Sequence, residues 1–129
     1  MTSFVLLIQT PPNTPANLHA LNFAKTLLAQ GHELQRLFFY GQGVYTAFSA
    51  AVTPHGEFDA GEAWQRLVEA HNLDAVVCIA AALRRGVLDA PEALRHGHAG
   101  NLLRNGFELA GLGMLVESII TADRCMTFG

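Results

Sequence analysis

The chain has 129 residues, enough for one domain with a single real core, and with half of them hydrophobic and only 15 % charged it cannot be a disordered chain. A formal net charge of −3 and a single lysine, Lys25, exclude a protein that grips nucleic acid through its own basic surface. No apolar stretch approaches the ~18–20 residues of a membrane span, and the N-terminal segment lacks a basic n-region and a cleavage site. A cytoplasmic protein is therefore expected, with Cys78 and Cys125 reduced rather than joined.

Mean hydropathy is +0.24, high for a small protein. It points to a parallel sheet buried on both faces, and to apolar surface covered by a partner subunit. Phe4-Val5-Leu6-Leu7-Ile8 reads as a first strand. Thr10 to Pro15 carries three prolines and is a loop. Thr14 as N-cap and Pro15 at the first helical position open a helix with Leu18, Leu21, Phe23, Ala24, Leu27 and Leu28 at helical spacing, and Gly31 stops it.

Leu34 to Tyr40 is a second strand, ended by Gly41-Gln42-Gly43, with a short helical segment expected over Val44–Phe48. Asp59 is placed to cap a helix with Ala63, Trp64, Leu67 and Val68 on one face. Asp74 to Ile79 is a third strand. Asp89-Ala90-Pro91-Glu92 opens a short helix, and a loop with His96 and His98 covers Arg95 to Gly100. One apolar helical stretch is expected from Phe107 through Ile119, and Arg124 to Phe128 is a last strand. Alternating strands and helices without a linker or repeat predict a single α/β domain over residues 1–129, with a central, mostly parallel sheet flanked by helices.

Cys78 carries most of the chemistry. It closes a buried strand, and α/β proteins place their sites at the ends of parallel strands. A thiol reacts as its thiolate, and a neighbouring arginine or helix N-terminus lowers its pKa from about 8.5 to roughly 3.5–7.5. Arg84 and Arg85, a few residues on, are candidate stabilisers of the thiolate. The competing reading is a cysteine used as a small core hydrophobe.

Other motifs carry less. Gly41-Gln42-Gly43 lacks the third glycine of a dinucleotide fingerprint, since Thr46 stands there, and no Walker-type loop exists. His96 and His98 supply two imidazoles, whereas a zinc site needs three or four ligands. His19, His32, His55 and His71 are scattered, and none is marked as a base beside the thiol. Cys125, in an expected buried strand, reads as structural.

Several segments together resemble the DsrE/TusD family of sulfur-relay proteins. They are Phe38-Phe39-Tyr40 with Gly43-Val44-Tyr45, Trp64-Gln65, and Cys78 followed by Ala80-Ala81-Ala82-Leu83-Arg84-Arg85-Gly86-Val87. Asn101-Leu102, then Gly106-Phe107, Leu109, Gly111-Leu112-Gly113 and Asp123-Arg124 continue the match almost to the C-terminus. The resemblance implies a DsrE/DsrF/DsrH-like α/β fold and a sulfurtransferase in which Cys78 carries sulfane sulfur as a persulfide. It implies two related small subunits as partners in a heterohexamer, a dimer of heterotrimers. A carrier protein would donate the sulfur, and another, with a cysteine near its C-terminus, would accept it. The destination in TusD-like members is 2-thiolation of the tRNA wobble uridine, and in DsrE-like members the same machinery serves sulfur oxidation. No direct nucleic-acid contact, membrane association, cofactor or metal is implied.

Two rival readings are a non-catalytic structural subunit of such a complex and a ligand- or metal-binding module built on His96, His98 and the cysteines. The Pro-rich loop Thr10–Asn17 departs from the family's glycine-containing turn, which bears on how a donor reaches Cys78 if the loop lies over it.

Overall fold

A computed structural model describes all residues, Met1 to Gly129. Five strands, β1 (Ser3–Ile8), β2 (Glu33–Phe39), β3 (Ala75–Cys78), β4 (Phe107–Ala110) and β5 (Arg124–Phe128), form one sheet in the order β4-β3-β2-β1-β5. Every pairing is parallel. The α/β expectation holds, and the mostly parallel sheet is entirely so. Helices α1 (Pro15–Ala29), α2 (Ala60–His71), α3 (Ile79–Arg84), α4 (Ala90–Arg95) and α5 (Gly113–Thr121) connect the strands, with a 3₁₀ segment at Gly41–Ala47 after β2.

Local chemistry explains the boundaries. Thr14 Oγ1 accepts from the Asn17 N–H at the start of α1, and Pro15 loses no helical bond there. At the other end Gly31 adopts φ +81°, and His32 N–H and Gly31 N–H donate to the Leu27 and Leu28 carbonyls. That Schellman pattern uses a left-handed residue, which glycine supplies without steric cost. Asp59 and Asp89 cap α2 and α4 by accepting from Glu62 and Glu92 N–H.

The sequence reading ran Phe107 to Ile119 as one helix. Instead Phe107–Ala110 is β4, paired with β3, and the helix begins at Gly113.

The two faces of the sheet are covered differently. On one, Phe39 meets Trp64 of α2 edge-on at 5.6 Å, and Phe23 of α1 packs on Phe4 and Phe128. Trp64, Phe38 and Phe39 are fully buried, and truncating a side chain of this kind to alanine costs about 3–5 kcal/mol. On the other face Arg36 reaches α5. Its Nε donates to Asp74 Oδ2 at 2.8 Å, and its Nη1 donates to the Met114 carbonyl and to Ser118 Oγ. Ser118 is the one fully buried residue of α5, while Val116, Ile119 and Ile120 face outward.

A buried polar hub ties the elements above the sheet. Asn17 Nδ2 donates to the Thr10 carbonyl and to Thr46 Oγ1, and its Oδ1 accepts from Trp64 Nε1 at 2.9 Å. The Pro-rich loop, the 3₁₀ segment and α2 are thereby fixed to the first turn of α1.

Candidate functional site

Because all strands run the same way, Ile8, Phe39, Cys78, Ala110 and Phe128 end on one edge of the sheet. Cys78 is the last residue of β3, paired with Ala110 of β4, and is also the N-cap residue of α3. It therefore sits at the carboxyl edge where open α/β sheets carry their sites. The strand order reverses between β1 and β5, so Cys78 stands two strands from the topological switch point.

The thiol is 1 % exposed and makes no capping hydrogen bond. The 3₁₀ segment packs against both β3 and α3. The Pro-rich loop follows β1 and reaches the 3₁₀ segment through Asn17 and Thr46. Gly43 lies close against β1, where a side-chain carbon would collide with the Ile8 carbonyl oxygen, so only glycine fits. Beyond Cys78 and Ala110 the chain turns to the surface at Ala80 and at Gly111-Leu112-Gly113, all exposed. Nothing lies within 4 Å of where a side-chain carbon would stand on Gly111 or Gly113, so the surface is open there.

Arg84 and Arg85 lie at the opposite end of α3 from Cys78. A helix rises about 1.5 Å per residue, which sets them roughly 9 Å or more along the axis. Arg84 is exposed, and Arg85 Nη1 donates to the Ala81 carbonyl, closing the end of its own helix. The groups nearest Cys78 along the chain are instead the backbone N–H groups of the first turn of α3, which have no carbonyl partner within that helix.

Cys125 corrects the sequence reading. The strand exists, but β5 is at the edge of the sheet and Cys125 is exposed. Partial desolvation pushes its thiol above the usual value, which disfavours the thiolate. Three strand spacings separate β3 from β5, about 14 Å, too far for a disulfide with Cys78.

His96 and His98 border a hollow of about 290 Å³ with Leu83, Gly86 and Leu88. His96 Nε2 is 3.4 Å from Glu92 Oε2. No three His, Cys, Asp or Glu side chains come close enough together to hold a metal. A larger hollow, about 430 Å³, lies between the starts of α1 and α2 and includes His19, Glu57 and Phe58.

Asn17 and Arg36 were not singled out from the sequence. The signal for Asn17 was an amide within the first turn of an apolar helix, together with a tryptophan whose indole N–H needs a partner when buried. Arg36 puts a charge in the middle of β2, next to Leu37-Phe38-Phe39, which on a buried sheet calls for a counter-charge.

Residues 2–128 match the family model described as DsrE/DsrF-like. The chain belongs to the DsrE/DsrF-like family. It is 52 % identical over 126 residues to a sulfurtransferase TusD homolog of Pseudomonas aeruginosa, covering 98 % of this chain and 96 % of that one. It is 46 % identical to the sulfurtransferase TusD of Pectobacterium carotovorum, covering 99 % and 100 %. The crystal structure of the ychN protein from E. coli shares the fold, with a TM-score of 0.78 at 20 % identity and coverage of 99 % and 100 %. This DsrE/DsrF-like chain thus spans essentially the full length of its relatives. No helix in it is long and apolar enough to cross a membrane.

Proposed function

We propose that this chain is a sulfurtransferase subunit that carries sulfane sulfur as a persulfide on Cys78 and relays it between carrier proteins. The observation that carries the reading is a cysteine ending a central parallel strand, in a chain half identical over its length to a protein named for sulfur transfer. The Cys78 thiolate attacks the outer sulfur of a donor persulfide. The donor S–S bond breaks, the donor leaves as a thiolate, and a new S–S bond forms on Cys78. An acceptor thiolate then repeats the exchange, so the relay involves no net oxidation. The chain's own residues hold the sulfur at the start of α3, where unpaired N–H groups favour an anion. Arg84 and Arg85 would add only longer-range charge.

The tRNA 2-thiouridine branch is the destination we favour over sulfur oxidation, on the similarity to TusD proteins. The chain would act in the cytoplasm within a heterohexamer with two related small subunits, a dimer of heterotrimers. The apolar outer face of α5, with Val116, Ile119 and Ile120, supports a partner there.

One observation favours a second reading, a structural subunit without sulfur chemistry: the Cys78 thiol is closed in the single chain. Mass spectrometry after incubation with a persulfide donor separates the two. A reducible one-sulfur gain on the Cys78 peptide is expected, absent in Cys78→Ser and retained in Cys125→Ser. An unmodified Cys78 in the assembled complex would rule out the carrier role.

A further inference from the structure

The sheet has two free edges, and only one is near Cys78. β4 ends at Ala110, the residue paired with Cys78, whereas β5 lies three strands away from β3. We propose that the free edge of β4 takes an extended, basic segment of the protein with which Cys78 exchanges sulfur, as an added strand. The inference rests on the reading of Cys78 as a sulfur carrier.

The backbone of β4 is set up for such pairing. Successive residues of a strand turn their N–H and C=O groups alternately to its two sides. Leu37 N–H donates to the Asp74 carbonyl, so Asp74 and Val76 turn toward β2, and Ala75 and Val77 toward β4. The register of β3 with β4 then points Glu108 and Ala110 at β3, and Leu109 away from it. Phe107 agrees: its N–H donates to the Arg104 carbonyl in the preceding turn and not to β3. Leu109 is only half-buried, and no strand lies on that side to pair with its N–H and carbonyl. An extended peptide completes an edge of this kind through main-chain bonds.

Charge selects the segment. Glu108 is the one charged residue of β4, and it is exposed and ion-paired to nothing. A side chain directly opposite it on an added strand stands about 5 Å away, Cβ to Cβ. A lysine or arginine there is attracted, and an acid is repelled.

The spacing suits a relay. An added strand lies two strand spacings from β3, about 10 Å, which three extended residues at about 3.3 Å each can cross. The way over the end of β4 is clear. Gly111 follows Ala110, is exposed, and has nothing within 4 Å of where a side-chain carbon would stand. A segment that ends in its cysteine must run parallel to β4, as every other strand does, to bring that cysteine to the carboxyl edge.

A heptapeptide probe tests this on the full chain. It has one lysine among three β-branched residues, then two glycines and a cysteine. By fluorescence anisotropy, with serine replacing the cysteine, methylating one alternate set of its strand nitrogens should weaken binding about tenfold or more, and methylating the other set should not. A probe with glutamate for the lysine should bind more weakly than the lysine probe, and Glu108→Lys should reverse that order. The Glu108 side chain is exposed and unpaired, so the fold should tolerate the change. No binding, equal effects of the two methylated sets, or an order that survives Glu108→Lys overturns the proposal. In a second assay the probe thiolate takes the outer sulfur from persulfidated Cys78, which leaves as a thiolate. Glu108→Lys should slow transfer to the lysine probe about tenfold and leave transfer to free cysteine unchanged. Equal slowing of both, or of neither, also overturns the proposal while the carrier reading stands. A chain that binds the lysine probe but takes no sulfur on Cys78 keeps the docking edge and loses the carrier reading.

Discussion

At the residue scale, the two cysteines differ in the surroundings that decide thiol chemistry. Cys78 is enclosed at the head of a helix, whereas Cys125 is exposed on an edge strand with its thiolate disfavoured by partial desolvation. Exposure alone would select Cys125, whereas the carrier proposed above is Cys78. Asp123 offers a separate test at this scale. Its carboxylate accepts from Ser3 N–H at 2.9 Å and from Ser3 Oγ at 3.1 Å, which holds its pKa below the usual 3.8. A carboxylate depressed on folding contributes stability above its unfolded pKa and loses it as pH falls through the lower folded value. Urea unfolding of wild type and Asp123→Asn should give an advantage to wild type at pH 6 that narrows below about pH 4. A difference that stays constant with pH would mean that the Ser3 contact is not linked to the charge.

At the element scale, α5 is held to the sheet by a polar clasp more than by apolar burial. Arg36 is mostly buried and joins Asp74, Ser118 and the Met114 carbonyl. Arg36→Ala removes the donor to Asp74 and Ser118 Oγ, while the Met114 carbonyl keeps its bond from Ser118 Oγ, and should cost about 1–3 kcal/mol in global stability. Hydrogen exchange should rise first in α5, and unchanged protection there would show that apolar contacts suffice. The same element marks where the sequence was legible and where it was not. Capping residues announced α1, α2 and α4, and the apolar runs announced β1, β2, β3 and β5. β4 escaped because four residues, Phe107 to Ala110, followed closely by another apolar segment carry no usable period. Cys78 was legible because a strand end is a local feature. The exposure of Cys125 was not, because an apolar strand reads alike at the centre and the edge of a parallel sheet, and only strand order separates them. Arg84 and Arg85 follow Cys78 closely in sequence yet stand at the far end of α3, because nearness in sequence becomes distance along a helix.

At the scale of the whole molecule, one apolar surface bears on the proposed assembly. Leu112, Val116, Ile119 and Ile120, on and before α5, leave apolar side chains in water. Ile120→Lys should change the melting temperature little, since Ile120 is 76 % exposed, yet if the proposed heterohexamer uses this face it should break that assembly on size-exclusion chromatography. An unchanged elution profile would move the interface elsewhere.

The strand order has a consequence for how the protein is made. β1 is synthesised near the beginning of the chain, and its neighbour β5 near the end. Between Ile8 and Arg124 a ribosome working at about 5–20 residues per second needs roughly 6–23 s. Throughout that interval one side of β1 offers unpaired backbone groups to any passing strand, a recognised route to aggregation. The growing chain, rather than the finished one, is then the form most in need of protection, and slowed translation should lower its yield before it lowers its stability.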